Sequence, residues 1–245
     1  MSAARSAASI LAARYRDTLL GDVGGLVLLL AQAPLIGWLC AVVWGSIEQD
    51  TPGLWFVLCL AAVWFGCINA CREIVKERRI LERERLFGVR PRDYVLSKVR
   101  VLAALGALQV ILLQGTVEWH LSIRGPMALE VVALFGASLA GTGLGLLVSA
   151  LATTQERAVF AVPLLLLPQI LFSELAISSN LYSDVVAAAE KAMPVHWAFR
   201  VFQESAALEP RWHMAALFLG VLFAMGAALV AAATVALIPR REIVT

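Results

Sequence analysis

The chain has 245 residues and a mass of 26.4 kDa, with 60% hydrophobic residues, 16% charged residues, a formal charge of +2 and a mean hydropathy of +0.81. Soluble domains average about a quarter charged and about half apolar, so the balance argues against a soluble globular enzyme. Six runs carry no Asp, Glu, Lys or Arg (23–47, 51–71, 101–117, 131–155, 158–173 and 214–239) and nearly exhaust the chain. A bilayer core takes roughly 20 apolar residues as helix, so the expectation is an all-α polytopic membrane protein with six transmembrane helices.

Residues 1–22 read as an amphipathic interfacial helix and 23–245 as the transmembrane domain. On a helical wheel Leu11, Tyr15, Thr18 and Leu19 share one arc, flanked by Arg14 and Arg16. Such a helix lies along the cytoplasmic interface, with membrane lipid as a partner and its arginines near anionic headgroups. The first apolar run follows a basic segment and, at 25 residues, is too long for the apolar part of a signal peptide. The first membrane helix spans 23–44, with Pro34 inside it. The second begins at Leu54 and is predicted to continue unbroken through the charged stretch to Phe87, because strong helix formers fill it. Gly88 should end it, and Pro91 suits the first turn of a third helix over 92–117. In the fourth, Gly136, Ala140, Gly141 and Gly145 are small residues at spacings that let helices approach closely. The fifth run is short and holds Pro163 and Pro168. Residues 174–213 are half apolar, with helices predicted over 183–193 and 197–207 on either side of Pro194, so this outer segment is expected to fold back onto or into the outer leaflet. A sixth helix spans 214–238.

Of 20 Lys and Arg, 16 fall on the side of the termini and of the 72–100 segment, and four (Arg124, Lys191, Arg200, Arg211) fall on the other. The positive-inside rule then places both termini in the cytoplasm of a multi-pass protein of the cell (inner) membrane. Cys40, Cys59, Cys67 and Cys71 all sit in or at the ends of apolar runs, so an extracytoplasmic disulfide framework is not expected. His120, His196 and His213 are isolated, and no catalytic residue or metal site is predicted. No phosphate loop occurs: Gly141-Thr142-Gly143-Leu144-Gly145 lacks the lysine and lies in an apolar run. The basic cluster is interleaved with acids and lacks a stacking face, which argues against nucleic acid as a partner.

The 72–100 segment combines alternating charges (Glu77, Arg83, Glu84, Arg85) with an apolar set (Ile80, Leu81, Leu86, Phe87). A short helix with both features suits docking into a groove on a partner protein. Phe65-Gly66-Cys67-Ile68-Asn69-Ala70-Cys71-Arg72-Glu73-Ile74-Val75-Lys76-Glu77-Arg78 resembles the second membrane helix of the ABCG (White) family of ABC-2 type exporters. The continuation from Ile80 to Gly88, followed by Tyr94-x-x-x-Lys98, is similar to that family's coupling hairpin, and Phe172-Ser173, Met193-Pro194 and Phe199 resemble its outer re-entrant region. Two features depart from the pattern: Glu174 stands where the family has Gly, and no ATPase motif is present.

The resemblance implies the membrane-spanning permease subunit of an ATP-driven exporter, acting with a second copy of itself or a paralogous permease. Its cofactors, ATP and Mg, would reside on a separate ABC ATPase subunit. It further implies coupling to that ATPase through Glu77, Arg79, Arg83, Glu84, Arg85 and Gly88, with Glu84 meeting a basic or N–H partner there. By position Phe65, Ile68 and Asn69, together with Leu167, Ile170, Leu171 and Leu175, match the family's substrate pathway, and an apolar pathway suits a lipid-like or amphipathic substrate. The alternative is a non-transporting membrane scaffold or regulator that recruits a cytoplasmic partner through the same hairpin.

Overall fold

A computed structural model describes residues 7–45, 51–121, 123, 125–176 and 183–238. These residues form an all-helical bundle: α1 (Ala7–Gly21), α2 (Val23–Trp44), α3 (Pro52–Ala70), a 3₁₀ turn (Val75–Glu77), α4 (Arg78–Leu86), α5 (Pro91–His120), α6 (Met127–Leu151), α7 (Gln155–Leu171), α8 (Asp184–Lys191), α9 (Pro194–Ser205) and α10 (Trp212–Ala236). The helix starts follow local chemistry. Asp22, Thr51 and Thr154 accept from the amides of Gly25, Leu54 and Arg157, satisfying donors that a helix leaves open at its N-terminus. Thr51 Oγ1 also accepts from Trp44 Nε1 at 2.7 Å, which pins the end of α2 to the start of α3.

The bundle is organised around α3, whose Leu54, Leu58, Cys59, Val63, Phe65 and Cys67 are all fully buried. Its tightest neighbour is α6. A Cβ added at Gly66 would lie 2.0 Å from the Ser138 carbonyl oxygen, and one at Gly141 would lie 2.3 Å from that of Val63. The two backbones therefore touch, which only glycine permits. The small-residue spacing on the fourth membrane helix anticipated this seam. α10 covers the opposite flank of α6, and α2 lies against α5 through Ala33, Gly37 and Cys40. On their outward faces α2 and α10 expose large apolar side chains such as Leu28, Val42, Leu217 and Val235, the surface a bilayer requires.

Among the described residues five helices are long and apolar enough to cross a membrane: α2, α3 with its continuation to Leu86, α5, α6 and α10. The sixth predicted span is α7, which has 17 residues and contains both Pro163 and Pro168; at 1.5 Å per residue it falls short of a bilayer core of about 30 Å.

Two predicted boundaries shift. The second membrane helix does not continue unbroken to Phe87: α3 stops at Ala70, and a turn and the 3₁₀ segment intervene before α4. The end of α6 is the cause. Ser149 Oγ accepts from both Ile74 N and Val75 N, at 2.9 and 3.0 Å, and Arg78 Nη2 donates to the Ala150 carbonyl at 2.7 Å. Tertiary hydrogen bonds thus override the helix propensity of the segment. In the outer segment Pro194 opens α9 at its first turn instead of separating two helices, since a proline lacks the amide that position leaves unused. That segment folds into the bundle: Val195, Ala198, Phe199 and Phe202 of α9 are buried, and Phe199 meets Phe56 of α3 edge-to-face at 6.0 Å.

Candidate functional site

Two features have the geometry for function: a polar hub with a projecting helix at the end of the bundle that holds α4, and an open apolar groove in its wall.

The hub is centred on Lys98, fully buried on the first turns of α5. A buried ammonium must be paired and hydrogen-bonded. Its Nζ lies 2.8 Å from Glu77 Oε1 and 3.5 Å from Glu73 Oε2 and stands 3.7 Å from the centre of the Tyr15 ring. Lys76 Nζ donates to the other Glu73 oxygen at 2.5 Å, and the Tyr94 hydroxyl donates to Glu77 Oε2 at 3.0 Å. Tyr94 and Lys98 are four residues apart on α5 and so share one face, while the turn and 3₁₀ segment after α3 bring Glu73 and Glu77 to the same ammonium. The hub thereby ties together α1, the turn after α3 and the start of α5. Burial pushes the Tyr15 hydroxyl well above its usual range, so it stays a neutral phenol lid over the ammonium.

From this hub α4 projects with Leu81 turned inward. It closes on Gly88, whose φ of +89° a side chain would strain. Gly88 N donates to the Arg85 carbonyl and Val89 N to that of Glu84, the paired bonds of a Schellman stop. Glu84 does not face outward: Arg14 Nη1 donates to its Oε1, so its basic partner lies within the chain. That hydrogen bond raises the Arg14 pKa above its ordinary value. What α4 does present is apolar, with Leu86 86% and Phe87 84% exposed beside exposed Arg79, Arg83 and Ile80. Glu77 belongs to the hub, and Arg85 is half-buried.

The groove is an open apolar cavity of about 360 Å³ between α2, α3 and α7, with Leu60, Trp64, Pro163, Leu166, Leu167 and Ile170 among its lining residues. Leu167 and Ile170 of the predicted pathway are therefore brought together here. Leu171 and Leu175 are exposed beyond it at the end of α7. Ile68 is half-buried against the core, on the stretch of α3 that leads to the hub. Phe65 and Asn69 are enclosed within the chain, Phe65 fully buried and Asn69 only 6% exposed. Asn69 Nδ2 donates to Gln109 Oε1, and Gln109 Nε2 donates to the Leu29 carbonyl, each at 2.6 Å, linking α3, α5 and α2. Such amide bonds suit apolar surroundings, where an unpaired polar group is costly.

Sequence reasoning missed Tyr15, Glu73, Lys76 and Lys98 as members of the hub, Ser149 as the residue that receives the turn after α3, and Trp64 and Pro163 as groove residues. The matched i,i+4 spacing of Glu73/Glu77 and Tyr94/Lys98 was the available signal for the hub. Among the described residues no group of three or more His, Cys, Asp or Glu is placed to hold a metal ion, and all four cysteines are buried and unpaired with one another.

No curated protein matches the chain, whereas the family profile of the ABC-2 type transporter matches residues 7–207, from the start of α1 to just beyond α9. The matched stretch holds the hub, α4, the groove and the infolded outer segment together, and the chain belongs to the ABC-2 type transporter family, the membrane permease components of ABC transporters.

Proposed function

We propose that this chain is the permease subunit of an ATP-driven exporter with the ABCG-like coupling arrangement, working with a separate ABC ATPase. The observation that carries the reading is the tip of α4. Leu86 and Phe87 are large apolar side chains left almost fully exposed outside the apolar spans, flanked by Arg79 and Arg83. An apolar knob rimmed by Arg79, Glu82 and Arg83 fits a groove on a cytoplasmic partner, and the hub anchors it to the bundle. Glu77 and Gly88 shape the mount, and Glu84 sets the angle of α4 against α1 through Arg14. Motion imposed on the tip would pass to α1, α3 and α5 through Lys98.

The open groove supports an apolar, lipid-like or amphipathic cargo. Leu167 and Ile170 would line its route and Leu171 and Leu175 its outer end, with Ile68 below. Pairing with a second permease would close the groove from its open side. We place α4 and both termini in the cytoplasm of the inner membrane, and α7 with α9 as the shortened sixth crossing.

The test is recovery of the complex from native membranes with the ATPase identified by mass spectrometry, together with cargo export. Leu86→Ser/Phe87→Ser should lose both while the permease itself inserts and stays monodisperse. A chain that purifies with a cytoplasmic protein of another kind, and with no ATPase, would favour a scaffold.

A further inference from the structure

A second cavity, of about 340 Å³, lies between α1 and the early turns of α5. Its walls are the face of α1 that holds Ala12, Ala13 and Arg16, and the face of α5 that holds Arg100, Val101 and Ala104. The floor is small and apolar, and the two arginines are exposed. Arg100 is the last charged residue before the uncharged run 101–117, which puts its guanidinium at the edge of the apolar layer. Among the described residues Arg100 has no ion-pair or hydrogen-bond partner, whereas Arg14 is taken by Glu84 and Arg16 leans on Asp17 at 2.8 and 3.0 Å. Two cations therefore line the cavity and no carboxylate does, Asp17 lying outside its walls, so the five donors of the Arg100 guanidinium remain available.

We propose that this cavity is a binding site for one anionic glycerophospholipid. The phosphate is held at Arg100, with Arg16 assisting, because a guanidinium fork matches phosphate oxygens in pairs. An acyl chain runs over Ala12, Ala13, Val101 and Ala104, where the absence of bulk leaves it room. The floor decides between phosphate sources: a free phosphate ion would use the arginines and leave apolar surface wet, whereas a lipid covers both. Basic pockets at the cytoplasmic ends of membrane helices suit such headgroups in general. The site wedges the interfacial helix against the third membrane helix and needs no ATPase, so it stands or falls independently of the transport reading.

Titrating the full-length chain in detergent with short-chain phosphatidylglycerol or phosphatidylcholine, followed by native mass spectrometry, tests it. The wild type should bind one phosphatidylglycerol in preference to phosphatidylcholine, and Arg100→Gln should weaken that preference by about five-fold. Arg16→Gln should weaken it less, because Asp17 already shares that side chain. Ala104→Phe, which fills the floor and leaves both charges in place, should also lower lipid binding, and Arg157→Gln, outside the cavity, should leave it unchanged. Equal binding of the two lipids, or wild-type binding by both Arg100→Gln and Ala104→Phe, overturns the proposal. So does displacement of phosphatidylglycerol by millimolar inorganic phosphate, which would make the cavity an anion site.

Discussion

The α3–α6 seam and the Lys98 hub hold the same helix in two different ways. Along the seam, backbone meets backbone at Gly66 and Gly141. At the hub, a few residues beyond the end of α3, one buried ammonium on α5 gathers two carboxylates from the turn after α3 and an aromatic ring from α1. Lipid tails offer no hydrophobic drive between helices, so a seam is held by close van der Waals packing that resists sliding. An ion cluster is held by a few directional contacts and can re-pair when its members shift. The difference gives the membrane portion the stiffer joint and the end that carries α4 the one able to shift, which is what the proposed coupling would require.

Four substitutions break or sharpen that contrast. The largest effect should come from Lys98→Met, which takes the shared cation from buried Glu73 and half-buried Glu77; breaking a buried pair costs about 3–5 kcal/mol, and Lys76, which still pairs with Glu73, sets the loss toward the lower end. Denaturant unfolding in detergent should show the loss, and adding Glu73→Gln and Glu77→Gln should restore part of it. A Lys98→Met protein as stable as the parent would mean that the hub is not a load on the fold. Next, Gly141→Leu should cost about 1–3 kcal/mol or more, since overpacking forces backbones apart. Gly115, with nothing within 4 Å of its added Cβ, is the matched control, and Gly115→Leu should leave the melting temperature nearly unchanged. Asn69→Ala should cost about 1 kcal/mol, the usual size of an amide bond between membrane helices, and a cycle with Gln109→Ala should show the two to be coupled. The smallest stability change belongs to Arg14→Gln, about 0–1 kcal/mol, because half of the Arg14 side chain is exposed. Its interest lies in function. With the restraint on Glu84 gone, ATP hydrolysis and export should lose their fixed ratio at nearly unaltered stability. Glu82→Ala, on the exposed side of α4, should leave that ratio intact.

The two regions also differed in how plainly the sequence announced them. The spans are written in the absence of charge, and α2 and α10 fall within two residues of their predicted ends. The small residues of α6 divide between two neighbours: Gly141 and Gly145 meet α3 at the seam, and Gly136 and Ala140 meet α10, so the spacing announced close approach without naming the partner helix. The hub was hidden because its members lie far apart in the chain and pair only once α1 folds onto α5. Defining spans by their lack of charge also left Lys98 just outside the run it anchors. Phe65, Ile68 and Asn69 were expected in the pathway only through the family resemblance, and the direction each side chain takes depends on where α5 and α6 pack. Glu84 taught the same lesson: its charge suggested a partner protein, and the fold supplied Arg14 first.

The central claim is that the tip of α4 seats in an ABC ATPase. A photo-crosslinking amino acid at position 87, irradiated in native membranes, tests it most directly. The account predicts a covalent adduct with an ABC ATPase, identified by mass spectrometry, and none from the same group at position 185 on exposed α8. An unlinked chain at position 87, or one linked solely to lipid, alongside normal export, would contradict it.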